Sequence, residues 1–323
     1  MGDESVAQPK RGRPTPLAVN RTAVSKIRKL EGSSIDQHYT LTIKEESAGI
    51  YSALQVQTGK EFLARVVQKD KFELDPACGT KYSEADWRSV CDSVFSTHAC
   101  QKLLQIHDML EDDQAFYIVM EKCSGADYLQ SVLYEKELTE VEIKRIIRQL
   151  LTALDQLHEQ GFVHRDVSPK TLRFRGTNFS LEKQELVLLP SEANTRFEAT
   201  SPAHRPSGGT DVDAFNAPER YSGEYSPLSD LWSVGVVLYI LITGQPPSIS
   251  TDGVTGSRKQ VIEAFKKSPI DFDSDPWPEF PQARDFCQKL LAIDPMDRTP
   301  SSAEALMHEW LAGDDQDEEA DAA

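Results

Sequence analysis

Apolar and polar positions alternate through three early runs of the chain: Tyr39-Thr40-Leu41-Thr42-Ile43, Ile50-Tyr51-Ser52-Ala53-Leu54-Gln55-Val56, and Glu61-Phe62-Leu63-Ala64-Arg65-Val66-Val67. A period of two predicts strands, and Gln57-Thr58-Gly59-Lys60 has the composition of a turn between the last two. Ala115-Phe116-Tyr117-Ile118-Val119-Met120-Glu121 and Leu186-Val187-Leu188-Leu189 read as further apolar strands. Over residues 137–160 the period changes. Ile143, Ile146, Ile147, Leu150, Leu151, Leu154 and Leu157 recur at three and four, which predicts a long amphipathic helix. Leu138-Thr139-Glu140-Val141-Glu142 supplies its capped start and Gly161 its stop. Residues 1–36 are polar, basic and without an apolar period, and predict a flexible leader. Residues 193–216 are rich in Ser, Thr, Pro and Gly and predict a mobile segment.

The 323 residues, 39% hydrophobic and 27% charged, suffice for one large domain or two lobes of a soluble globular protein. No apolar run approaches bilayer length, so no membrane contact is expected. The N-terminus lacks the apolar stretch of a secretory signal, and Val6 stands where myristoylation requires Ser or Thr. Cys78, Cys91, Cys100, Cys123 and Cys287 are scattered and never spaced C-x-x-C, which fits a reducing compartment, cytoplasmic or nuclear.

The formal charge of −17 is unevenly spread: residues 1–31 carry an excess of Lys and Arg, and residues 313–323 carry six acids and no base. The acidic body argues against binding of nucleic acid or anionic lipid by the folded part. Within the leader, Pro9-Lys10-Arg11-Gly12-Arg13-Pro14 resembles the core of an AT-hook. There Lys10, Arg11 and Arg13 would make a weak contact in the minor groove of A·T-rich DNA. A solvated basic tail or a nuclear-import patch is the other reading.

Phe162-Val163-His164-Arg165-Asp166-Val167-Ser168-Pro169-Lys170-Thr171-Leu172 resembles the catalytic loop of protein kinases, H-R-D-L-x-x-x-N. Ala217-Pro218-Glu219, Ser229-Asp230-Leu231-Trp232-Ser233-Val234-Gly235 and Asp294-Pro295-Met296-Asp297-Arg298-Thr299 follow in the order the family has them. The chain thus resembles a protein kinase over residues 37–312, most of all the calcium/calmodulin-dependent kinase group with its calcium-dependent protein kinases. It has no D-x-D-x-D-G calcium loop of its own.

The resemblance implies an α+β, bilobal fold: a small β-rich N-lobe (37–121), a larger, mainly helical C-lobe (125–312) and an acidic tail (313–323). It implies structural roles for five residues. Glu219 would pair with Arg298, and Asp230 would hold the backbone around His164 and Arg165. Arg165 would also receive a phosphate from the activation segment, with Thr195, Thr200, Ser201, Ser207 and Thr210 as candidate carriers.

The resemblance also shows what is missing. On the ATP-site positions fall Gly49, Arg65, Met120, Glu121 and Asp127. Lys44 and Glu46 stand where two loop glycines would cover the phosphates. Arg65 replaces the small-lobe lysine, and Leu63 replaces an alanine set against the adenine ring. A one-residue slip would put Ala64 and Val66 there instead. The helix expected over 82–97 presents Arg88-Ser89 where its pairing acid should be, with Glu84 and Asp86 a turn away. Ser168 replaces a phosphate-contacting lysine. Thr171 and Pro190 replace both metal ligands, so no metal site is expected. Only Asp166, the position of the base, is retained.

These departures imply a pseudokinase: a scaffold or allosteric regulator of protein partners (kinases, substrates or adaptors) needing neither ATP nor Mg. Two alternatives stand beside it. One is a weakly active serine/threonine kinase using ATP and Mg, with Asp166 as base, Arg65 on phosphate and Glu192 or Glu185 on metal. The other is a nuclear adaptor led by the AT-hook-like segment.

Overall fold

A computed structural model describes residues 27–45, 50–69, 88, 100–123, 138–175, 185–189, 195–196, 214–222, 225–248, 258–267 and 269–312. The N-terminal part is a six-stranded sheet. Its strands are β1 (Arg28–Lys29), β2 (Tyr39–Glu45), β3 (Ile50–Gln55), β4 (Glu61–Gln68), β5 (Ile106–Glu111) and β6 (Ala115–Glu121), in the order β1-β5-β6-β4-β3-β2. All pairs are antiparallel except β1 on β5. The alternation read in the sequence becomes two apolar faces. Phe62, Ala64, Leu110, Tyr117 and Val119 share the outer cluster with Tyr39 and Ala53. Ile50, Leu63, Phe116, Ile118 and Met120 share the inner one with Leu104, Val187 and Leu189.

The flexible leader expected over 1–36 ends earlier than that. Ile27, Leu30 and Ile35 are buried, the first in the inner cluster and the other two in the outer. They stand singly among polar residues, too few to make a strand or helix pattern, which is why the sequence hides them: each is an isolated anchor on an existing sheet.

The C-terminal part is built on α1 (Glu140–Glu159) and α2 (Pro227–Thr243). Thr139 caps α1 reciprocally: its hydroxyl accepts the Glu142 N–H, and the Glu142 carboxylate accepts the Thr139 N–H. The chain leaves α1 through Gly161 at φ 79°. Then come β7 (Phe162–Val163), β8 (Leu172–Arg175), β9 (Glu185–Leu188) and β10 (Thr195–Arg196), with β8 paired to β9 and β7 to β10. Helices α3 (Arg258–Lys267), α4 (Pro281–Leu290), α5 (Ser302–Leu306) and α6 (Glu309–Ala312) complete the body. From Ser229 to Leu241 every residue of α2 is buried, as its unbroken apolar run requires. None of the described helices is long and apolar enough to cross a membrane.

Gly235 is where α2 meets α4. A Cβ there would lie 2.8 Å from Leu291 Cγ and Cδ2 and 3.0 Å from Leu290 Cβ. Gly235→Ala is therefore expected to destabilise the protein by about 1–3 kcal/mol through overpacking. An unchanged thermal midpoint would show that Leu290 and Leu291 yield freely.

Candidate functional site

The loop between β7 and β8 is held from beneath by one carboxylate. Asp230, on the first turn of α2, is 1% exposed. Its oxygens accept the backbone N–H groups of His164 and Arg165, both at 2.8 Å, and His158 Nε2 at 2.9 Å. Burial alone would raise its pKa. His158 and the backbone donors overcome that and hold it below the usual carboxylate range. His164 Nε2 donates to the Leu189 carbonyl at 2.9 Å, while Nδ1 accepts the Asp166 N–H at 3.3 Å. These partners assign a neutral imidazole protonated at Nε2.

Arg165 has φ 66°, a left-handed backbone that costs a non-glycine residue about 1–2 kcal/mol. Its guanidinium is buried against the Tyr225 ring at 4.4 Å, and Arg220 lies over the same ring at 5.0 Å. Nε of both arginines is buried without a hydrogen-bond partner. Desolvation pulls the Arg165 pKa below its ordinary value; Tyr225 and Asp230 oppose this, and Arg220 adds to it.

Asp166 is exposed at the end of this arrangement. Thr171 is buried, and its hydroxyl donates to the Asp166 carbonyl at 2.5 Å, with the Ser168 carbonyl at 3.1 Å. The same oxygen accepts the Ser168 N–H at 3.2 Å. A threonine carries one proton and one oxygen, and both are used in closing the loop.

Glu219 and Arg298 meet in a buried fork, Nη1 to Oε1 at 2.6 Å and Nη2 to Oε2 at 2.8 Å. In the sheet, β4 pairs with β6 so that Leu63 faces Met120 and Arg65 faces Ile118. Leu63 lies in the inner cluster and Ala64 in the outer. Strand alternation then gives Arg65 the face of Leu63. Ala64, with Val66 packed beside it, belongs to the opposite face.

A family model described as Protein kinase domain matches residues 46–311. The chain belongs to the protein kinase family. It is 27% identical over 303 residues to a MAP kinase-interacting serine/threonine-protein kinase 1 from Xenopus tropicalis, covering 85% of this chain and 69% of that one. It is 30% identical over 257 residues to CDPK-related kinase 7 of Arabidopsis thaliana, covering 79% of this chain and 41% of that one. Calcium-dependent protein kinase 8 of the same plant is 28% identical, and the match spans 46% of its length. The chain thus spans less than half of these plant relatives. Among solved structures, the twitchin kinase region from C. elegans superposes with a TM-score of 0.67 at 24% identity, covering 88% of this chain and 47% of that one. That likeness speaks for the bilobal fold.

In this kinase domain Met120 is buried at the end of β6, and Glu121 follows at the junction of the lobes. The Glu121 carboxylate accepts the Gln105 N–H at 2.9 Å and Arg175 Nη2 at 2.7 Å. Arg175 Nη1 continues to Glu185 Oε2 at 2.8 Å, and Lys102 reaches Glu185 Oε1 at 2.6 Å. Although burial opposes it, Lys102 and Arg175 hold the Glu185 pKa below the usual range. Glu185, weighed above as a metal ligand, here accepts from two cationic side chains.

Arg173 escaped the sequence reading. It is 2% exposed, and Nη1 donates to the Lys170 and Leu172 carbonyls, each at 2.8 Å. It pairs with Val187, which belongs to the inner cluster, so a guanidinium stands on the cleft side of the β8–β9 hairpin. The signal was available: in Leu172-Arg173-Phe174-Arg175 both charges fall on one face.

Arg88 has helical backbone, and its guanidinium meets Glu111 of β5. Gly49, Asp127, Pro190 and Glu192 lie outside the described residues, as do Glu46, Glu84, Asp86, Thr200, Ser201, Ser207, Thr210, the basic stretch Lys10, Arg11 and Arg13, and the tail 313–323. Among the described residues no group of three or more His, Cys, Asp or Glu side chains is placed to hold a metal.

Proposed function

We propose that this kinase domain is catalytically impaired and acts as a scaffold or allosteric regulator of protein partners in signalling. The observation that carries this reading is the Thr171 hydroxyl. Its proton closes the catalytic loop on the Asp166 carbonyl, and it brings no carboxamide oxygen to bear on a cation. Leu63 on the ceiling of the cleft and the buried Arg173 on its floor support the same reading, since both are bulky where a flat heterocycle would slide in. Arg65 supports it too: a planar fork replaces a point ammonium on the strand that faces the phosphates. The residues described thus fit Mg-ATP poorly. The structural pairs Glu219–Arg298 and Asp230–His164/Arg165 keep the lobe assembled for partners.

Calorimetric titration of the protein with ATP, with and without magnesium, tests this. No saturable heat in either titration is the expected result. Millimolar or tighter binding that requires magnesium, together with phosphate transfer abolished by Asp166→Asn, would overturn it. One observation favours weak kinase activity as a second reading. Asp166 is exposed at the end of a correctly tethered loop, where a base would have to stand.

A further inference from the structure

The floor of the cleft carries a buried charge. Side chains alternate along β8: Leu172 and Phe174 belong to the core of the C-terminal part, as do their partners Leu188 and Leu186 in β9. Arg173 therefore points the other way, together with its partner Val187. Val187 lies in the inner cluster with Leu63 and Met120, which stand opposite each other on β4 and β6. One packed cluster thus runs from the sheet to the β8–β9 hairpin, and Arg173 lies on its hairpin side.

The chain buries these groups with its own atoms. Leu63 is 3% exposed, Met120 2% and Arg173 2%. A guanidinium buried this far has lost its hydration and is kept only by hydrogen bonds. Arg173 Nη1 has two protons, and the Lys170 and Leu172 carbonyls take both, each at 2.8 Å. Both acceptors belong to the chain leaving the catalytic loop. The head is thereby fixed beside the hairpin and does not swing out to water, as long charged side chains on a surface do. A flat heterocycle entering between Leu63 and the hairpin must move this charged head and strip two carbonyls of their donor.

We infer that Arg173 is the residue that excludes an adenine ring from this cleft, its guanidinium holding the place on the floor that the ring would need. Removing the guanidinium opens the cleft to the base of an adenine nucleotide, with no metal required. The inference rests on the proposed impairment, and it assigns the part that concerns the base, as distinct from metal and phosphates, to one side chain.

Adenosine, which has no phosphate and needs no magnesium, is the probe. Calorimetric titration of the full chain should show no saturable heat in the parent up to about 1 mM, and in Arg173→Leu binding about tenfold tighter than that limit or better. The labelled methyl carbon of Met120 should shift when adenosine is added to the variant and stay in place in the parent, which locates the ligand in the cleft. Adding Leu63→Ala to Arg173→Leu should tighten binding further. If Arg173→Leu does not fold, Arg173→Met, which keeps an unbranched stem without the charge, carries the test. Gly235→Ala, weakened in the contact of α2 with α4, should gain nothing. Adenosine binding by the parent, no gain in a folded Arg173 variant, or an equal gain in Gly235→Ala would refute the role of Arg173 and leave the proposed loss of catalysis in place. Phosphate transfer from Mg-ATP by a parent whose Met120 methyl does not move would do the reverse.

Discussion

Arg298→Ala is expected to destabilise this protein by about 3–5 kcal/mol, the cost of leaving one partner of a buried ion pair alone. The side chain is fully buried and Glu219 is 3% exposed. Arg298 also serves the carbonyls of Ala292, Leu228 and Ile293 and lies over Trp232 at 5.1 Å. Its removal takes the bidentate cation from the Glu219 carboxylate and leaves the neutral Ser229 hydroxyl donating to it. At roughly 2–4 °C per kcal/mol the thermal midpoint should fall by about 10 °C. Arg298→Met combined with Glu219→Leu should lose less than the two single changes summed, because no buried charge is left unpaired. A single variant with an unchanged midpoint would mean that water reaches the fork.

Asp230→Asn should cost about 2–4 kcal/mol at neutral pH. Its two oxygens accept from two backbone donors, and an asparagine must turn its NH2 toward one of them. The left-handed backbone of Arg165 loses a tether at the same time. A pH signature goes with it. The folded pKa of Asp230 is depressed, so its contribution is complete above the unfolded value of about 3.9 and is lost as pH falls through the folded value. Urea unfolding should therefore show the difference between parent and Asp230→Asn persisting from neutral pH down to about pH 4 and shrinking below it. A difference that grew on acidification would contradict the assignment.

Much of the frame was legible in the sequence because its signals are local. The alternation from Tyr39 to Val67 needs no partner to be read, and neither does the period of α1 or its Thr139–Glu142 cap. The site was legible only where a motif spans a few residues, as from His164 to Thr171. What stayed hidden is set by distant pairing. Ile27, Leu30 and Ile35 acquire meaning only once β5 offers an edge. Two registers for Arg65 fit the pattern equally until Leu63 and Ala64 are seen to fall in different clusters. Glu111 reads as an ordinary surface acid after Leu110, because Lys69 and Arg88 lie 42 and 23 residues away.

The strap from Glu121 through Arg175 to Glu185 crosses the seam between the two halves of the molecule. Arg175 further holds the Gln101 and Leu103 carbonyls, so several acceptors converge on one guanidinium at the pivot. Bending there must stretch all of these bonds together. Any movement of one half against the other is thus coupled to this single guanidinium.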